Sequence, residues 1–403
     1  MTQMMGGVLS LFSGAGGLDV GLEAAGFNTL ACVEMDETAR NTLTVNRPEW
    51  MAVEYTDVLE AAKKLRPSEL GLRRRQLELI AGGPPCQPFS KAAQWMSTAR
   101  RGMEDDRAIP LHGMLELVDR FLPKAILIEN VVGYIQGPGN ARPVLEAGLA
   151  AINRANGTKY RVDVAVLNAA DFGVPQNRDR AIIVARRDGV PFEFPEPTHR
   201  TNPITAWDAL HDLSDVEWAP KHGAWTELLS CIPEGSNYQY LTARGGGPEI
   251  FGWRTRFWSF LLKLARDRPS WTLPASPGPN TGPFHWNNRP LTVAERMRLQ
   301  SFPDDWKLRG TPRAQVRMSG NATPPALAEV IGRALVAQMR LGTPLSRRAL
   351  LASPPRLVQK RATSWVAPRA PGSLPNHFEK LVGEKAAHPG AGLGPMSHTV
   401  QLT

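Results

Sequence analysis

A cysteine set among prolines is the first place in this chain where chemistry is visible. The stretch Ala81-Gly82-Gly83-Pro84-Pro85-Cys86-Gln87-Pro88-Phe89-Ser90 follows a short apolar run. Its prolines hold an extended loop, so Cys86 is presented rather than packed. A nucleophile with little conformational freedom starts closer to a reactive geometry. The thiolate is the reactive form and needs a favourable electrostatic setting near neutral pH. Glu129 ends the apolar run 125–128 and offers a carboxyl at the same sheet edge. Gln176, Arg178 and Arg180 alternate, so an extended backbone would put all three on one face. An arginine there can lower the pKa of a thiol and clamp a planar or anionic group. Arg178 is the first choice for that task, and Arg180 is equally able to be structural. Taken singly, each residue has a plainer use: a small buried thiol, a solvated strand-end acid, a solvated basic edge. The expected catalytic set is Cys86, Glu129 and Arg178; the expected substrate contacts are Gln87, Ser90, Gln176 and Arg180.

These residues need elements to position them. Residues 8–12, 29–33, 77–81, 125–128, 162–167 and 181–185 read as strands. Residues 18–25, 109–121 and 144–154 have helical spacing. Such alternation implies an α/β domain over residues 1–190 with a mainly parallel sheet, whose ligands sit at the carboxyl ends of the strands. At the first such end, Phe12-Ser13-Gly14-Ala15-Gly16-Gly17-Leu18 turns from strand to helix. Glycines there let a ligand approach the backbone. Glu34 closes the second strand, where an acid commonly binds ribose hydroxyls. Asp57 follows a third extended segment and can accept from an adenine amino group. The loop lacks a phosphate cradle, which favours an adenosine ligand without phosphates.

From about residue 191 to 288 Pro, Gly and Trp are dense, and helical spacing fades except over 257–264. This reads as a smaller, irregular second domain in which most tryptophans are core. Arg244-Gly245-Gly246-Gly247, Trp253-Arg254-Thr255-Arg256 and His285-Trp286-Asn287-Asn288-Arg289 supply groups suited to base edges. Residues 291–299 and 326–339 return to helical patterns, and 289–340 should pack back on the first domain. The segment 341–403, rich in Pro, Ala, Gly and Arg, reads as disordered. It holds six of the nine net positive charges, so overall charge is a weak guide to a nucleic-acid groove. Three cysteines, Cys32, Cys86 and Cys231, match neither a zinc site nor a disulfide scaffold. No metal is expected. With no long apolar run and no signal-peptide pattern, the expected location is the cytoplasm, away from membranes.

Gly-Pro-Pro-Cys-Gln-Pro-Phe-Ser resembles the catalytic loop of the DNA (cytosine-5-)methyltransferases of bacterial and phage restriction–modification type. The order of further motifs is similar to that family's: Phe12-Ser13-Gly14-Ala15-Gly16-Gly17, Glu129-Asn130-Val131, Gln176-x-Arg178-x-Arg180, Arg289-Pro290-Leu291-Thr292 through Leu299-Gln300-Ser301-Phe302-Pro303, and Gly320-Asn321-Ala322-Thr323-Pro324-Pro325. The resemblance covers residues 8–340. It departs at Thr323, where valine is usual, and at Met318-Ser319, where a Gln-Ile type pair is more frequent. It implies a Rossmann-like S-adenosylmethionine-dependent methyltransferase fold with a smaller target-recognition domain. It further implies that the Cys86 thiolate adds to carbon 6 of a flipped-out cytosine, activating carbon 5, while Glu129 holds the base at N3 and the exocyclic amine. The implied cofactor contacts are Phe12, Gly14, Gly16, Gly17, Leu18, Glu34, Met35, Asp57, Val58 and Asn321. Residues 91–106 would form a mobile lid over DNA. Double-stranded DNA is the implied partner, the chain is expected to act as a monomer, and the resemblance admits a cognate restriction endonuclease acting on the same site. Adenine-N6 and cytosine-N4 methyltransferases resemble Asp/Asn/Ser-Pro-Pro-aromatic loops, which are missing here. A transfer-RNA methyltransferase of the same fold, an inactive DNA-binding relative and a dinucleotide oxidoreductase are the other readings, the last disfavoured by the poor phosphate loop.

Overall fold

Seven short strands build the first part of the chain: β1 (Gly7–Leu11), β2 (Asn28–Val33), β3 (Met51–Ala52), β4 (Leu79–Gly82), β5 (Ala125–Asn130), β6 (Arg161–Asn168) and β7 (Asp179–Arg186). The computed structural model describes residues 6–85, 109–137, 139–213, 223–253 and 257–384. Helices α1 (Gly17–Ala24), α2 (Glu37–Asn46), α3 (Val58–Lys64), α4 (Pro110–Phe121) and α5 (Arg142–Asn156) lie between the strands. Helices α6 (Ala206–Leu210), α7 (Val293–Leu299), α8 (Pro312–Asn321), α9 (Pro325–Leu341), α10 (Arg347–Ala352) and α11 (Asn376–Glu379) follow.

The strands form one sheet in the order β3-β2-β1-β4-β5-β7-β6. The first five are parallel, and β7 runs antiparallel to both its neighbours. Strand side chains alternate between faces, and both faces are apolar. Leu9, Leu11, Ile80, Ile126 and Ile128 share one core with α3, α4 and α5. Val8, Leu79, Ala81, Leu127, Ile182 and Val184 share the other with α1 and α9. Helix α4 shows why it folds there: Leu111, Met114, Leu115, Leu117, Val118 and Phe121 are buried at helical spacing. This is the expected α/β architecture. Because β1 to β5 are parallel, the loops after β1, β2, β4 and β5 emerge at one edge, where the candidate residues lie.

Two expectations about the second half are corrected. Residues 257–264 are not helical. Phe257 and Leu261 have φ of 66° and 52°, and isolated bridges tie Phe260 to Thr281 and Lys263 to Phe284 instead. The segment after 340 is not a loose tail over its described part, 341–384. The Glu329 carboxylate accepts the Arg356 and Leu357 N–H groups at 2.8 and 3.0 Å. Further on, the Trp207 indole donates to the Ser364 carbonyl at 2.6 Å, and Gly372 N–H donates to Ser230 O at 2.9 Å. Phe378 and Leu381 then join the core of the irregular second part, beside Trp225, Leu229, Tyr238 and Phe251. A run rich in Pro and Arg is thus held by a few deep anchors, and it straps the irregular second part to the α/β unit.

Candidate active site

The cofactor end of the edge begins where β1 stops. Phe12 takes φ of 57°, an unusual left-handed conformation for a bulky residue, and starts the glycine turn. Glu34, ending β2, organises that turn. One carboxylate oxygen accepts the Gly14 N–H and the other the Asp36 N–H, each at 2.8 Å. Gly17 presses on the last family motif: a Cβ there would lie 2.1 Å from the Thr323 carbonyl oxygen. Any side chain at Gly17 would therefore push the two segments apart. The Trp306 indole N–H caps the turn from below, donating to Ala15 O at 3.0 Å. Asp57 caps α3, accepting the Leu59 N–H at 2.7 Å. Met35 is 71 % exposed beside Glu34. Asn321 is exposed at the end of α8, two residues before Thr323. Leu18 and Val58 are buried in the two cores, so their side chains serve packing and only their backbones face the edge. The departures from the family pattern are accommodated too: Ser319 Oγ accepts from the Arg296 guanidinium at 2.9 Å. A glycine turn flanked by carboxylates at two loop ends suits a ligand rich in hydroxyl and amino donors and would repel a pyrophosphate.

Beneath this turn lies a buried polar group that the sequence reading passed over. Asp19 is fully buried in α1, and burial raises its pKa from 3.8 to about 6, with Ser10 opposing the shift. The native state therefore binds a proton that the unfolded chain has already lost over this window. Stability from this group falls as pH rises from about 4 to 6 and is flat above. Asp19→Asn is expected to remove that fall. Its thermal midpoint should exceed the wild-type value at pH 7.5 and match it near pH 4. Equal midpoints at both pH values would contradict the assignment.

At the chemical end, β5 does two jobs. The Asn130 side-chain amide donates to the Pro84 carbonyl at 2.9 Å, anchoring the loop two residues before Cys86. Glu129 packs against the same loop, with a Cβ at Gly83 placed 3.4 Å from its Oε2. Cys86, Gln87, Ser90 and the expected lid 91–106 lie outside the described residues. The sequence reading names Asn130 only within the Glu129-Asn130-Val131 motif and gives it no role; its signal is an amide directly after a strand-end acid.

The arginine motif divides differently from the expected single face, because β7 starts only at Asp179. Arg180 Nε lies 2.8 Å from Glu129 Oε1, with side chains only 12 % and 8 % exposed. Register explains the meeting: Glu129 pairs with Ile182, and Arg180 is two residues earlier on the same face. Arg178 is 1 % exposed and donates to the Gly320 carbonyl at 2.9 Å, tying the start of β7 to α8. Gln176 is completely buried, donating to Leu299 O at 3.3 Å and accepting the Leu273 N–H at 3.1 Å. So of the three alternating residues Arg180 reaches the Glu129 carboxylate, while Gln176 and Arg178 join segments that are distant in sequence. The expected base readers around 285–289 are also inside the fold. Arg289 binds Glu295 at 2.7 Å, and His285 lies 3.5 Å from the same carboxylate.

Comparison with known proteins identifies the family and the fold. A family model described as C-5 cytosine-specific DNA methylase matches residues 7–337. The chain is 36 % identical over 376 residues to the Type II methyltransferase M.SacI of Streptomyces achromogenes, covering 82 % of this chain and 93 % of that protein. It is 31 % identical over 341 residues to the Type II methyltransferase M.NgoMIV of Neisseria gonorrhoeae, covering 82 % and 97 %. Among solved structures, the Entamoeba histolytica methyltransferase EhMeth shares the fold with a TM-score of 0.55 at 17 % identity, over 84 % of this chain and all of that one. Among the described residues, no helix is long and apolar enough to cross a membrane. The matched span contains both ends of the site, from the glycine turn to the motif at Gly320: the chain belongs to the C-5 cytosine-specific DNA methylase family and is a DNA cytosine-5 methyltransferase.

Proposed function

We propose that Cys86, Glu129 and Arg180 carry out the reaction, and that the turn from Phe12 to Leu18, with Glu34, Met35, Asp57, Val58 and Asn321, holds S-adenosylmethionine. The observation that carries this reading is the Arg180–Glu129 ion pair beside a loop anchored by Asn130. When bound, S-adenosylmethionine supplies an electrophilic methyl group. Carbon 5 of cytosine is a poor nucleophile by itself. The Cys86 thiolate forms a bond to carbon 6, and the displaced π electrons make carbon 5 enamine-like. Glu129 holds a proton at N3 to balance the charge that the addition pushes into the ring. Arg180 orients the Glu129 carboxylate and presents a guanidinium toward the base. Carbon 5 then bonds the methyl group as the methyl's bond to the sulfonium sulfur breaks and a neutral thioether leaves. A solvent-derived base takes the carbon-5 proton, the N3 proton returns to Glu129, the Cys86 sulfur–carbon bond breaks, and the thiolate is regenerated.

The target base must leave the duplex to reach Cys86. Residues 91–106 would close over it, with Gln87 and Ser90 at the loop's end. Double-stranded DNA is the substrate in this reading. The chain would act as a cytoplasmic monomer, as the modification half of a restriction system or alone.

The cofactor assignment has a direct test. Glu34→Ala removes acceptors from the ribose side and releases Gly14. It is expected to weaken S-adenosylmethionine binding about 10- to 100-fold by titration calorimetry, as loss of a charged hydrogen bond would. An unchanged Kd in a folded variant would place the ligand elsewhere.

A further inference from the structure

A concavity in the recognition segment is not used by the reaction. It encloses about 310 Å³ and is lined by Tyr240, Arg244, Trp253, Trp258 and Trp271, among others. That volume is at the lower end of small-ligand sites. Three tryptophans line one opening. Trp50, Trp207, Trp225, Trp286 and Trp306 are buried, whereas Trp253 and Trp258 are 40 % and 46 % exposed, as is Trp365 at 53 % outside the cavity. The segment also holds its rings outward at a conformational cost: Phe257, 40 % exposed, sits in the left-handed region.

The geometry of the wall is fixed from below. A Cβ at Gly245 would lie 2.3 Å from Tyr240 Cα, so only glycine lets this turn press onto the Tyr240 backbone. That close approach sets Arg244, whose guanidinium stacks 4.0 Å from the Trp253 ring centre. Trp258 is held by the Asn237 amide, which donates to its carbonyl at 2.6 Å, and its ring centre is 6.1 Å from that of Trp271. Trp271 in turn is pinned to the catalytic arm. Its neighbour Ser270 bridges to Gln176, and the Thr272 hydroxyl donates to Asn177 O at 2.7 Å. One wall of the cavity is thus tied to the segment 176–180, whose last residue Arg180 meets Glu129.

We infer that this cavity binds one nucleobase of the DNA substrate, other than the target cytosine, stacked on the tryptophan faces with its edge toward Arg244. The inference rests on the reading that this chain acts on DNA. Stacking on exposed aromatics suits any base and returns roughly 1–3 kcal/mol for each one bound. A guanidinium already held over the Trp253 ring offers its planar fork of donors, which select a base edge with two acceptors, as guanine has. A base in this site has left its own stack, so the site also helps hold the duplex open.

The test uses the full chain. A plasmid is methylated and the site read by bisulfite sequencing. Short duplexes carrying that site are then made with an abasic residue at each other position in turn, and Kd is measured by fluorescence anisotropy. For the wild type, an abasic residue at one position should weaken binding about 5- to 100-fold. Trp258→Ala and Trp253→Ala should bind the intact duplex correspondingly less well and be insensitive to that same abasic residue. Trp258→Phe, which keeps a ring, should recover most of the binding. Unaltered melting curves are expected because both rings are exposed. Binding by both alanine variants within twofold of wild type would overturn the proposal, as would a loss that is the same at every abasic position. If the wild type methylates no DNA at all, the reading of the active site fails first, which separates the two outcomes.

Discussion

Cys86→Ala is expected to abolish methyl transfer to DNA, with a rate at least about 10⁴-fold below wild type, while binding of duplex DNA and of S-adenosylmethionine persists. Removal of a covalent nucleophile typically costs this much, since what remains is binding and orientation alone. The loss follows from the substrate rather than from fine geometry. An alanine leaves carbon 5 of cytosine without the electron density that a sulfur–carbon bond supplies. The fold should tolerate the change, because the loop's anchor is the Asn130–Pro84 hydrogen bond, two residues away. Single-turnover kinetics with saturating DNA measure the effect. A variant retaining a tenth of wild-type activity would contradict the role given to Cys86.

The second large effect separates two arginines of which the sequence reading favoured Arg178 for catalysis, whereas it is Arg180 that meets Glu129. Arg180→Ala is expected to lower kcat about 10²- to 10³-fold in a protein that still folds and melts above Arg178→Ala. Its partner Glu129 would lose the group that orients it at the reacting base. Arg178→Ala should do the reverse. That side chain is 1 % exposed and holds the Gly320 carbonyl, so its removal leaves a cavity and an unpaired buried acceptor. A loss of stability on the order of 3 kcal/mol or more is expected. Thermal melts beside initial rates tell them apart. If Arg178→Ala melts normally yet is inactive, while Arg180→Ala retains full activity, the assignment made from the Glu129 contact is wrong.

Much of the catalytic unit was legible because its signals are local and redundant. Strand ends, glycine turns and proline loops coincide with chemistry-bearing residues, and each core strand is apolar on both faces. What failed to read was set by distant partners. Helices α2 and α8 carry few apolar residues: α2 buries only Ala39, Thr42 and Leu43, and α8 only Met318, Ser319 and Gly320. Period-two spacing at Gln176, Arg178 and Arg180 suggested one face, but only β7, starting at Asp179, is a strand. Which arginine meets Glu129 depends on the antiparallel register between β5 and β7, and nothing near either residue encodes it. The segment after 340 has a disordered chain's composition. It is ordered by Leu350, Phe378 and Leu381, whose burial depends on surfaces contributed by residues more than a hundred positions earlier. Asp19 was invisible for the same reason: an acid in a helix's first turn reads as solvated until the helix packs it toward Ser10 of β1 and Cys32 of β2.

The central claim is that one thiol, backed by the Glu129–Arg180 pair, drives methylation of cytosine carbon 5. Duplex DNA incubated with radiolabelled S-adenosylmethionine and either wild type or Cys86→Ala, then digested and resolved into nucleosides by mass spectrometry, tests it most directly. Label in 5-methyldeoxycytidine with the wild type, and none with the variant, is the result predicted here. Label in any other nucleoside, or label that survives loss of Cys86, would contradict it.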